Sequence, residues 1–220
     1  MPRAWFLARD HYNTLVVDLR AHGQSRGNYA TPGYLESRDI LGALSYLRHG
    51  RHQGGPIAAF GHSYGAVAVL YAASKTPDIA AVIADSAFIS FERMMRRATI
   101  LLARDPDRSY VDRLGLEVAG TRAAEWAVIP IYFLRTEVWP SPGRSDLLSA
   151  IPRINPRPIL FIAGQDDEIC PPENARLMYE VADSPRKQLL IVPSAEHDQT
   201  YALAPHRYEE TVVKFLNSAL

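Results

Sequence analysis

Cysteine is almost absent from this chain of 220 residues, which carries Cys170 and no other. One cysteine closes no intramolecular disulfide, so a disulfide scaffold is excluded and a reducing compartment is expected. Lysine is nearly as scarce: Lys75, Lys187 and Lys214 are the only lysines among 24 basic residues, an arginine bias that assigns no function by itself. Neither sign of charge prevails, since 24 Lys and Arg face 24 Asp and Glu. That balance argues against a surface built to neutralise nucleic-acid phosphates or anionic lipid. Long apolar runs are missing too. No stretch approaches the roughly 18 residues that a membrane span needs, and Met1 to Trp5 is not followed by a signal-peptide core. The expectation is a soluble, cytoplasmic protein with no nucleic-acid or membrane partner.

What is present is a sequence able to bury a core, at 47% hydrophobic and 22% charged residues. The length suits a single domain over 1–220 with one insertion. Short runs rich in Val, Ile and Leu recur at Asn13–Asp18, Pro56–Gly61, Ile79–Asp85, Pro158–Ala163 and Lys187–Val192. Helix-like segments separate them. This is the pattern of parallel strands buried on both faces and joined by crossover helices, and it predicts an α/β fold with at least five parallel strands. Leu35, Ile40, Leu41, Leu44 and Leu47 mark one helix, Pro171-Pro172-Glu173 opens another, and a last helix covers about 206–217. The connection from Phe88 to Pro156 is too long for an ordinary crossover. Phe91, Met94, Met95, Ala98, Leu101 and Leu102 repeat in it at helical spacing, which predicts a mostly helical cap at about 89–155.

Gly61-His62-Ser63-Tyr64-Gly65 stands between an apolar run and the segment Ala66–Ala73. In a strand-turn-helix context this pentapeptide places a serine on a strained turn at a helix N-terminus, with glycines where side chains would collide with backbone. There the backbone N–H of Tyr64 can donate to a developing oxyanion. An N-cap serine in a plain glycine-bounded turn is the bland alternative. A serine hydroxyl needs a base, and the base an orienting carboxylate. Asp166 and Asp167 follow the fourth run, and His197 follows the fifth, so acid and base both lie just beyond carboxyl ends of strands, where open parallel sheets place their sites.

These residues resemble the α/β-hydrolase superfamily, in its serine aminopeptidase-like and general hydrolase branch. The order Ser63, Asp167, His197 is that family's order. Val17 to Ser25 is similar to its D-x-R-x-H-G-x-S loop, Gly33 to Glu36 and Asp39 to the helix start after it, and Gly164 to Pro171 to its acid loop G-x-x-D-x-x-x-P, which selects Asp167 over Asp166. Asp85, after the third run, holds a place where some members carry the acid. His22 and His62, near the same loops, are expected to be ordinary polar residues, and Cys170 a packed small residue.

The resemblance implies a serine hydrolase without metal or organic cofactor. Ser63 would be the nucleophile, His197 the base, Asp167 its orienting acid and the Tyr64 amide the oxyanion donor. A small-molecule ester, thioester or peptide would be the substrate, with Trp126 and Trp139 as wall residues of an acyl pocket in the cap. Arg93, Arg96, Arg97 and Arg104 read as the solvated face of an amphipathic helix, with a grip on an anionic substrate as the alternative. The family also builds strands, and an oxyanion loop, ahead of the run at Asn13. Arg3 to Tyr12 looks like the helix after that loop, so the fold is expected to be N-terminally incomplete. An apolar edge would then be open to a homodimer partner. A truncated or non-catalytic binding protein is the competing expectation.

Overall fold

Four apolar segments line up as one parallel sheet in the computed structural model, which describes residues 2–28, 30–50, 54–104, 109 and 146–220. They are β1 (Ile57–His62), β2 (Ile79–Asp85), β3 (Ile159–Gly164) and β4 (Lys187–Val192), hydrogen-bonded in that spatial order. Each neighbouring pair is parallel, with Phe60 opposite Ile83, Ala84 opposite Phe161, and Ile162 opposite Leu190.

The near-continuous hydrophobicity of these strands has a direct cause. Successive side chains point to opposite faces, and both faces are covered. Ile57, Ala59, Val82, Ala84, Ile159, Phe161 and Ala163 join one core cluster, while Ala58, Phe60, Ala81, Ile83, Leu160, Ile162, Leu190 and Val192 join the other. Helix α3 (Tyr64–Ala73) runs in the first layer with every residue from Ala66 to Ala73 buried. Helices α2 (Glu36–His49) and α6 (Pro172–Val181) pack there too, with the short α5 (Asp146–Ala150) and the 3-10 turn Ile151–Ile154. Helix α1 (Pro2–Arg9), through Phe6 and Leu7, and helix α8 (Pro205–Ala219), through Tyr208, Val212, Phe215 and Leu216, cover the other face. The short α7 (Thr200–Leu203) leads into α8. Each fully buried Ile, Leu or Phe in these layers contributes about 2 kcal/mol of transfer free energy.

The run at Asn13–Asp18 corrects the expected count. It forms no strand, so the described sheet has four strands and not five. Leu15 and Val16 are 46% and 53% exposed. An apolar run signals a preference for burial, but a strand also needs a neighbour's amides and carbonyls, and β1 pairs with β2 only. The loop that follows is pinned locally instead. Asp18 accepts from the Gln24 amide at 2.9 Å, the Ser25 hydroxyl donates to the Asp18 carbonyl at 2.6 Å, and the Arg20 guanidinium grips Asp39 of α2 at 2.7 Å. Asp18, Arg20 and Ser25 therefore hold the shape of this loop.

Of the long connection, α4 (Phe91–Ala103) is helical as expected, with Met94 buried against the core and Arg93 and Arg97 exposed. Trp126 and Trp139 lie outside the described residues. Among the described residues, no helix is long and apolar enough to cross a membrane.

Candidate active site

The turn from β1 into α3 is as tight as its glycines suggest. A Cβ on Gly61 would stand 2.2 Å from the Gly65 carbonyl, a distance no packing tolerates. One on Gly65 would meet nothing within 4 Å, so of the two flanking glycines only Gly61 is required by its own contacts. Ser63, at the crest, has φ 50° and ψ −114°, a strained conformation that lifts its side chain off the sheet. Its amide is held by the Asp85 carbonyl at 2.8 Å. Tyr64 is the first residue of α3, where helix amides have no acceptor of their own.

Two further loops leave the sheet at the same end. After β3, Asp167 is buried, and its Oδ1 accepts from the amides of Ile169 at 2.9 Å and Cys170 at 2.7 Å. Asp166, one residue earlier, is exposed. After β4, His197 turns back toward both. Its Nδ1 lies 2.8 Å from Asp167 Oδ2, and its Nε2 lies 3.1 Å from Ser63 Oγ. Ser63, more than 100 residues away from both partners in the chain, thus forms one unbroken hydrogen-bonded line with His197 and Asp167. Gly164 permits this closeness, because a Cβ there would sit 2.2 Å from the Ala195 carbonyl, so the acid loop and the histidine loop touch backbone to backbone.

The electrostatics raise the basicity of His197. Burial works against its charge, but the hydrogen bond and charge of Asp167, with the charges of Asp198 and Asp85, outweigh it and hold the imidazole above the ordinary value of 6.5. Cys170 is different: burial, with Asp167 and Asp198 nearby, pushes its thiol far up, so it is a packed neutral group and no nucleophile.

Asp85 does not reach His197. Its fully buried carboxylate accepts from Tyr208 Oη at 2.8 Å, Thr200 Oγ1 at 3.0 Å, Ser86 Oγ at 3.1 Å and Arg3 Nε at 3.2 Å. It ties α1, β2, α7 and α8 together. Burial alone would raise this acid; His62, Arg3 and Tyr208 bring it below the ordinary carboxylate value. His62 is less ordinary than its sequence context suggests. Nε2 lies 2.5 Å from Asp198 Oδ1, Nδ1 lies 3.3 Å from Asp85 Oδ2, and the ring is 5.5 Å from that of His197. Sequence reasoning passed over Asp198, Thr200, Tyr208 and Arg3. No motif marks them, and only the meeting of distant elements does. His22, by contrast, faces its own loop, with Nδ1 2.8 Å from the Arg20 carbonyl.

A cleft beside the acid loop is lined by Ser90, Arg93, Met94, Arg97, Ile169 and Asn174, among others. Arg97 reaches the Glu168 carbonyl at 3.4 Å and Arg104 the Glu168 carboxylate at 3.3 Å. Exposed pairs of this kind contribute little to stability. Arg96 is half-buried, unlike the solvated residue expected.

Comparison with known proteins places the arrangement. A family model described as the alpha/beta hydrolase family matches residues 2–212. The Bacillus subtilis protein YqkD is 32% identical over 211 residues, covering 94% of this chain and 63% of that protein. The Schizosaccharomyces pombe protein bem46 is 25% identical over 197 residues, covering 89% of this chain and 55% of that protein. The chain thus spans less than two thirds of the length of these relatives. Among solved structures, the Pyrococcus furiosus esterase Pf2001 superposes with a TM-score of 0.76 at 24% identity, covering 99% of this chain and 75% of that one. A Paleococcus ferrophilus monoacylglycerol lipase superposes at 0.58 and 21% identity, over 90% of this chain and 80% of that one. With the match running through sheet, elbow and both strand-end loops, this chain belongs to the alpha/beta hydrolase family.

Proposed function

We propose that this protein is a serine hydrolase that cleaves a carboxylic ester, with thioesters and amides as neighbouring substrate classes. The observation that carries the reading is the continuous line from Ser63 Oγ through the two nitrogens of His197 to Asp167, at 3.1 and 2.8 Å. Each position has the chemistry that acyl transfer needs. His197 Nε2 takes the Ser63 proton as Oγ attacks the carbonyl carbon. Asp167, accepting at Nδ1, fixes the tautomer that leaves Nε2 free and stabilises the imidazolium that forms. The tetrahedral oxyanion meets the Tyr64 amide at the N-terminus of α3, whose dipole favours the negative charge. Collapse expels the alcohol, thiol or amine, which takes its proton from His197. Water activated by the same imidazole then hydrolyses the acyl-serine and returns the free enzyme. Every proton in this cycle moves through His197 Nε2, and no metal or organic cofactor takes part.

The ester preference draws on the esterase and the monoacylglycerol lipase among the structural neighbours. A fluorophosphonate tests the serine without knowledge of the substrate. Intact mass spectrometry is expected to show one adduct on the 220-residue chain and none on Ser63→Ala. A folded protein that takes no adduct would sink the reading and leave a binding role in its place.

A further inference from the structure

Two histidines meet at this site where acyl transfer uses one. His62, His197 and Asp198 each offer a ligand atom, and these atoms lie within 4.8 Å of one another. Both imidazoles have a carboxylate behind Nδ1: Asp167 at 2.8 Å from His197, and Asp85 at 3.3 Å from His62. His62 Nδ1 is buried, and its contact with Asp85 is not an aligned hydrogen bond. A carboxylate behind Nδ1 fixes the ring proton there and presents the lone pair of Nε2 outward, which is how histidines that bind metal are commonly oriented. Here His197 is held in that arrangement. His62 Nε2 already contacts Asp198 Oδ1 at 2.5 Å, and His197 Nε2 faces Ser63 Oγ.

We propose that His62 Nε2, His197 Nε2 and an Asp198 carboxylate oxygen form an inhibitory site for a divalent transition-metal ion of the zinc type. Two imidazoles and one carboxylate are a donor set that suits zinc, with water completing a tetrahedron. Ligand atoms around such an ion stand closer together than 4.8 Å, so the cluster must draw in. Asp198 can make that adjustment, because its side chain is 76% exposed and opens the site to solvent. The second grouping of metal-binding residue types, Asp167 with Cys170 and His197, is a poor competitor. Its thiol is buried and strongly disposed to stay protonated, and both Asp167 oxygens are already engaged. Metal on His197 Nε2 occupies the lone pair that would accept the Ser63 proton. The ion therefore blocks the nucleophile without touching it. Metal binding stands on this geometry alone; only its inhibitory consequence rests on the serine-hydrolase reading.

Isothermal titration of Ser63→Ala with zinc chloride separates the two, because that variant keeps all three ligands and cannot turn over. The expected result is one zinc per chain, bound at least about tenfold more weakly once either Asp198→Asn or His62→Gln is added, the scale on which metal sites respond to altered coordination. Asp198 has φ 64°, a conformation asparagine adopts readily, so Asp198→Asn is expected to fold, as circular dichroism would verify. In parallel, zinc should slow fluorophosphonate capture of the unmodified protein, and Asp198→Asn should relieve that slowing. No zinc binding, or equal binding by the parent and both ligand variants, would overturn the metal site. Zinc binding in a protein that takes no fluorophosphonate adduct would support the site and defeat only the catalytic reading.

Discussion

Asp167 and His197 meet at 2.8 Å because Gly164, at the end of β3, lets the Ala195 carbonyl approach to where a side chain would otherwise stand. Backbone contact between the two loops brings the two side chains within reach, while the amides of Ile169 and Cys170 hold the carboxylate from the other side. Asp167→Asn keeps this shape but turns an acceptor at Nδ1 into a group able to donate, which stabilises the wrong imidazole tautomer. Steady-state ester hydrolysis by Asp167→Asn is expected to fall by about three to four orders of magnitude, as in a well-studied triad. Wild-type turnover in the variant would remove Asp167 from the proposed mechanism.

The pH profile follows from the environment of His197. In the proposed mechanism it must be neutral, and the charged groups facing it are Asp167, Asp198 and Asp85, with His62 alongside. Burial opposes protonation, the carboxylates favour it, and the net effect is a rise above 6.5. The acidic limb of kcat/KM is therefore expected above pH 6.5, and Asp198→Asn should move it to lower pH by removing one of those charges. A limb at or below 6.5 in the parent, or one that Asp198→Asn leaves in place, would contradict this account.

Gly61 and Gly65 share the elbow but not its constraint. Gly61→Ala forces a Cβ to 2.2 Å from backbone atoms, so the turn must shift. Thermal unfolding should register a loss of about 1–3 kcal/mol, the usual cost of overpacking, with slower fluorophosphonate capture because Ser63 moves with the turn. Gly65→Ala, whose Cβ meets open space inside a helix, should match the parent in stability or exceed it by up to about 1 kcal/mol. Equal stability of the two variants would show that the elbow is not sterically limited.

Asp85 makes the strongest stability prediction. Its folded-state acidity is held below the ordinary 3.8, so the stabilisation it provides is fully present above that value and is lost as pH falls through the lower folded one. Asp85→Asn strips the charge facing Arg3 and is expected to cost about 3 kcal/mol at neutral pH by urea unfolding. The gap between parent and variant should narrow as pH drops below 3.8, where the parent carboxylate takes up its proton. A gap that stays constant over that range would mean that hydrogen bonding and packing, not charge, carry the role of Asp85.

Local chemistry alone made much of this molecule legible. Four of the strands stand where apolar runs between turn residues placed them, since strands covered on both faces leave a continuous hydrophobic trace. Ser63, Asp167 and His197 stood out as candidates because each follows a strand and sits in a short motif whose spacing is set by backbone geometry. The run at Asn13–Asp18 shows where such reading ends: its residues suit a strand as well as any, but pairing depends on a neighbour that the run itself does not encode. The same holds for His62, Asp85 and Asp198. Nothing nearby in sequence marks them as partners, because 23 residues separate the first two and 113 the last two, while the fold brings them to 3.3 and 2.5 Å of one imidazole. Sequence determined which side chains stand at the carboxyl ends of the strands, since local periodicity and turn chemistry act over a few residues. Tertiary structure alone decided which of them touch, since contact, burial and the resulting shifts in acidity are set by distances that the chain closes only when the sheet assembles.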